Sequence, residues 1–127
     1  MDMKALTTVA ARVLLALIFV ISGLKKIGGY AAIQAYMESH GVPGALLPLV
    51  ILTEVGCGLM VILGWQTRVA AVLLAGFTLI AALIFHTHFA DPLQVIMFML
   101  HLSIVGGFLL LAVHGGGECS LDQRRKT

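Results

Sequence analysis

The chain has 127 residues, of which 60% are hydrophobic and 11% charged, with a formal net charge of +2 and a mean hydropathy of +1.04. Soluble domains run at roughly 45–50% apolar and about 25% charged, so this composition excludes a water-soluble fold. It also excludes a nucleic-acid-binding stripe, because the only dense basic run is Arg124-Arg125-Lys126.

The length allows one domain, residues 1–127. A spanning helix needs about 20 mostly apolar residues, and the first such stretch covers about residues 5–24. It is too long for a secretory signal, no small-x-small cleavage site follows, and Lys25-Lys26 comes directly after it. Gly28-Gly29 ends this helix. The next segment sets Ile33, Tyr36 and Met37 on one face, with Gln34 and Glu38 elsewhere. That pattern predicts a short helix lying at the membrane surface, its tyrosines at headgroup level. Gly41-Val42-Pro43-Gly44 turns the chain into a second span at about residues 45–63. The link Gly64-Trp65-Gln66-Thr67 is short, so a third span at about 68–85 must be its antiparallel neighbour. Asp91-Pro92 reads as an N-cap with proline at the first helical position, opening a fourth span at about 92–113. The fold class is all-α: a four-helix transmembrane bundle with a short interfacial helix between helices one and two. Helices are required because backbone groups in lipid must pair internally.

Four spans put both termini on one side, with Lys4, Arg68, Arg124, Arg125 and Lys126; only Lys25 and Lys26 lie on the other. The positive-inside rule therefore places both termini in the cytoplasm of a multi-pass protein of the inner (plasma) membrane. Ala71 with Ala75, and Ser103 with Gly107, form small-xxx-small pairs that let helix backbones approach closely.

Three ionisable residues fall inside the spans: Arg12, Glu54 and His101. Such groups are costly in lipid and face the bundle interior. With each span centred in the bilayer at about 1.5 Å per residue, all three lie within about one helical turn in depth. They form the candidate catalytic cluster, with an Arg12–Glu54 ion pair and His101 as a third member. Arg12, Ala16, Phe19, Gly23 and Lys26 recur at spacings of four, three, four and three, so they share one face, which is expected to point inwards. The bland alternative is that a buried ion pair only fixes helix register. His86 and His88 do not share a helix face, and no metal site is assigned. Cys57 reads as a buried packing residue, and Cys119 lies in the tail at another depth, which opposes a disulfide. No CxxC, CxxCH, GxGxxG or Walker motif is present.

A set of residues in order resembles the DoxX family of small bacterial membrane proteins along residues 9–112. It runs from Arg12 through Ser22-Gly23-Leu24-Lys25-Lys26, Tyr36-Met37, Gly41-Val42-Pro43-Gly44 and Leu52-Thr53-Glu54-Val55-Gly56-Cys57-Gly58. It continues with Gly64, Arg68, Phe85-His86 and the stretch from Met97 to Gly107. The resemblance implies a four-helix membrane protein with a redox-linked role, since some relatives serve quinone-dependent oxidation of thiosulfate and others redox homeostasis beside soluble enzymes. It carries over Arg12, Lys26, Glu54, Arg68 and His86, with Lys26, Arg68 and His86 as cofactor-binding candidates and a membrane quinone as the implied cofactor. Relatives commonly have Lys-Asn where this chain has Leu100-His101, which exchanges a cation and an amide for an apolar side chain and an imidazole.

Three functions compete. The first is a quinone-interacting oxidoreductase subunit with a soluble or membrane redox partner. The second is a non-catalytic membrane partner or assembly factor, making contacts through the surface helix and the tail. The third is a small transporter, because intramembrane charge also marks ion pathways.

Overall fold

The computed structural model describes residues 2–126. Helix α1 runs Met3–Gly28, α2 Tyr30–Ser39, α3 Gly44–Leu63, α4 Thr67–Phe85, α5 Pro92–His114 and α6 Leu121–Lys126. Among the described residues, α1, α3, α4 and α5 are long and apolar enough to cross a membrane. The expected spans are all present. Helix α1 gains a turn at its C-terminal end because Lys25 and Lys26 continue the helix until Gly29 caps it, its N–H bonding the Lys25 carbonyl. At its start, Asp2 caps the amide of Ala5 at 2.8 Å. Asp91 caps α5 as its sequence position demands, accepting from the Leu93 amide at 3.0 Å.

Two features were not anticipated. Helix α3 is not uniform: it opens as a tight 3-10 turn at Gly44–Leu46, and Thr53–Cys57 forms one wide π-helical turn around Glu54. Such bulges re-aim the side chains they carry and often sit at functional sites. The tail, for which no element was expected, folds into α6 and packs back under the bundle, with the Asp122 amide on the Gly64 carbonyl at 2.9 Å.

The core is small and tightly packed. Ala16, Phe19, Cys57, Val61, Ala70, Ala71, Leu74, Ala75, Phe108 and Leu111 form it. Phe19 meets Phe108 edge-on at 5.5 Å between ring centres, a favoured aromatic geometry. The Ala71–Ala75 pair lies in this core, where small side chains let helices close up. The Ser103–Gly107 pair does not act as a unit. Gly107 lies against Leu15, while Ser103 is exposed and its hydroxyl bonds back to Met99.

No more than a third of any span is buried. Leu14, Leu52 and Val113 are each about two-thirds exposed or more. A continuous coat of such side chains is compatible with lipid and not with water. Helix α2 folds across the ends of α3 and α4. Its Met37 is buried, Gln34 donates to the Gly44 carbonyl, and Tyr36 stacks on Phe85 with ring centres 5.4 Å apart.

Candidate functional site

The inward stripe of α1 is as expected: Arg12, Ala16, Phe19 and Gly23 are buried, and Lys26 continues the face. What the stripe meets is decided by helix register. Gly23 lies against the π turn, so closely that a methyl there would sit 2.5 Å from Val55 Cγ2 and 3.3 Å from Glu54 Cβ. One turn further on, Lys26 Nζ reaches Glu54 Oε1 at 2.6 Å and Ser22 Oγ at 2.7 Å. The Glu54 side chain is 4% exposed and that of Lys26 23%, so the lysine stem lies along the helix while its ammonium turns inwards to a buried carboxylate.

The expected Arg12–Glu54 pair is therefore not formed. The expectation set the midpoints of α1 and α3 level, whereas packing places Gly23 opposite Glu54 and Arg12 opposite Gly64. Eleven residues of helix separate Gly23 from Arg12, about 16 Å, beyond the reach of an arginine side chain. Arg12 instead donates to the Cys119 carbonyl in the tail. It is 2% exposed, and its Nε and Nη1 have no partner among the described residues.

His101 belongs to a third group. Its Nδ1 lies 2.8 Å from the Met97 carbonyl, which can only accept, so this nitrogen carries a proton. His86 bonds Gln94 at 3.0 Å, and the two imidazoles sit 4.6 Å apart between ring centres. A helical side chain leans towards the N-terminal turn of its own helix, which tips His101 towards the α4–α5 connection. Arg68, at the other end of α4, donates to the Val113 carbonyl at 2.8 Å. The six candidates thus divide into a Lys26–Glu54 pair, a His86–His101 pair, and two arginines that bind separate backbone carbonyls near the termini.

Beside the first pair, a groove of about 610 Å³ opens on the outer face of α1, running from Leu14 past Ile18 and Ile21 to Ser22, Lys25 and Lys26, where Ala32 and Ile33 of α2 close it. Its walls are apolar and its polar groups gather at one end, the composition of a site for an amphipathic ligand.

The contribution of the tail was missing from the sequence reading. The Asp122 carboxylate accepts from the amides of Gln66 at 2.6 Å and Thr67 at 2.9 Å, capping α4 from a distant segment because Gln66 has no side-chain bond of its own there. An Asx residue immediately before a helix is a recognisable cap; one 55 residues later is not. Asp122→Ala is expected to cost about 0.5–2 kcal/mol, read as faster hydrogen exchange confined to the first turn of α4 and to the tail.

Comparison with known proteins gives concordant matches. The DoxX family model matches residues 7–87. The chain is 51% identical to the inner membrane protein YqjF of Escherichia coli over 113 residues, covering 89% of this chain and 87% of YqjF. It is 39% identical to the inner membrane protein YphA of the same organism over 122 residues, covering 90% of this chain and 86% of YphA. No solved structure matches.

Proposed function

The chain belongs to the DoxX family, and from that premise we propose that it is an inner-membrane, redox-linked protein whose α1–α2 groove receives the headgroup of a membrane quinone. One observation carries the reading: Lys26, paired with the buried Glu54 carboxylate, lines the polar end of a groove that is otherwise apolar and open on the outer face of α1. A quinone, when bound, would supply the redox chemistry. Lys26 Nζ, Ser22 Oγ and the exposed Lys25 ammonium are the donors available to a carbonyl oxygen at that end. Glu54 sets the direction of Lys26 and is the carboxylate placed to exchange a proton with it. Ile18, Ile21 and Leu14 line the path along which an isoprenoid tail would lie.

The His86–His101 pair is a second site able to hold protons, on the α4–α5 side of the bundle. Arg12 and Arg68 are assigned to anchoring the end that carries both termini. Lys4, Arg68, Arg124, Arg125 and Lys126 gather at that end, which supports placing both termini in the cytoplasm. Names shared by two close relatives support the inner membrane as its location.

The test is organic extraction of the purified protein, followed by thermal unfolding with and without added ubiquinone. A retained quinone, and a melting temperature that rises with ubiquinone in wild type but not in Lys26→Met, is expected. No quinone in the extract and no shift on addition would exclude the reading.

A further inference from the structure

We propose that the pocket between the start of α4 and the loop after α5 holds the phosphate of an anionic phospholipid, independently of the quinone groove. The pocket measures about 510 Å³ and is lined by Thr67, Arg68, Val69, the three glycines Gly115, Gly116 and Gly117, and Ser120. It lies at the end that carries both termini, where α4 begins and α5 stops, and hence at headgroup depth.

Its floor contains a donor without an acceptor. Thr67 is fully buried and its hydroxyl has no partner among the described residues. Arg12, with two unpartnered nitrogens, is not part of the lining and lies beyond Ser120 and Gly64. An unsatisfied buried polar group is costly, and the Thr67 hydroxyl in the pocket wall points to an acceptor that binds there. The roof is the glycine loop, in which Gly115 and Gly117 take positive φ of 77° and 83°. A methyl on Gly116 would press on the Thr67 hydroxyl at 2.8 Å and one on Gly115 on the Arg68 guanidinium at 3.2 Å. The absence of side chains is thus what leaves the donors close to the opening.

Arg68 is exposed and held at one nitrogen by the Val113 carbonyl, which orients its planar fork for two parallel bonds to phosphate oxygens. The Asp122 carboxylate also borders the pocket, but it is engaged by the amides of Gln66 and Thr67. Charge favours an anion overall: Lys4, Arg12, Arg68, Arg124, Arg125 and Lys126 belong to this end, against Asp2, Glu118 and Asp122. A lipid is favoured over free phosphate because exposed Val69 forms one edge of the pocket and an acyl chain can lie along it. Basic pockets between spans at the cytoplasmic side are the recurrent form of anionic-lipid sites.

The experiment uses the full chain in nanodiscs of phosphatidylcholine, with or without phosphatidylglycerol, and native mass spectrometry of the protein released from them. Phosphatidylglycerol is expected to raise the melting temperature, and one retained phosphatidylglycerol is expected to be lost in Arg68→Gln but kept in Lys4→Gln. Equal melting in the two lipids, or equal loss in both variants, overturns the proposal. Inorganic phosphate that stabilises the protein in phosphatidylcholine, with no further gain from phosphatidylglycerol, assigns the pocket to free phosphate and overturns the lipid occupant. The wild-type comparison of lipids decides the matter even if Arg68→Gln fails to fold.

Discussion

Glu54→Leu alone is expected to destabilise the bundle by about 3–5 kcal/mol, and Glu54→Leu together with Lys26→Met to recover most of that loss. The first change leaves the Lys26 ammonium turned into the bundle beside Ser22 with its carboxylate gone. The second removes the stranded charge and fills the space with apolar atoms, which is neutral or stabilising in many buried pairs. The identity of the rescuing site makes the test specific. Were the helices level at their midpoints, Arg12→Met would rescue Glu54→Leu and Lys26→Met would not. In the register seen here Arg12 binds the tail, so Arg12→Met should add its own effect to that of Glu54→Leu, as distant sites do. Reversible unfolding in mixed micelles measures wild type and these variants on one scale.

Gly64→Val is the second large effect expected, at about 2–5 kcal/mol from two sources. Gly64 closes α3 with φ +73°, a left-handed conformation that costs an L-residue about 1–2 kcal/mol. A side chain there would also run into the Arg12 guanidinium and the Ser120 side chain, and would lie 2.9 Å from Ser120 Cα. Overpacking a filled space costs a further ~1–3 kcal/mol. Because the Gly64 carbonyl also accepts from the Asp122 amide, the tail should be displaced along with the turn. Hydrogen exchange should then rise from Cys119 to Arg124 while the Lys26–Glu54 end stays protected. Uniform loss of protection along α1 would instead mean that the two ends of the bundle are not separable.

The contrast between these ends shows what a single sequence makes legible. The four spans follow from apolar runs of bilayer length, and their ends from Gly29, Gly64 and Asp91, whose backbone or capping chemistry is local. The inward face of α1 follows from spacing alone. Register between helices is different. It is set by where glycine allows close approach, Gly23 against Val55 and Gly58 against Val20, and those contacts join residues more than thirty positions apart. Depth measured from helix midpoints therefore gave Arg12 the wrong partner, although Lys26 was already on the correct face. The π turn at Thr53–Cys57 carries no propensity signal, since an extra residue in a helical turn is stabilised by packing. The meeting of His86 with His101 depends on how α4 and α5 pair across the 86–91 connection, and the tail's return under α4 depends on carbonyls and amides that only the folded bundle presents.

Photolabelling with an azidoquinone in the membrane, followed by peptide mapping, tests the central claim most directly. Label confined to residues 14–33 of wild type, and reduced by competing ubiquinone and by Lys26→Met, is the predicted result. Label spread over the lipid-facing side of α5, or unchanged by competition, would contradict a quinone site in the α1–α2 groove.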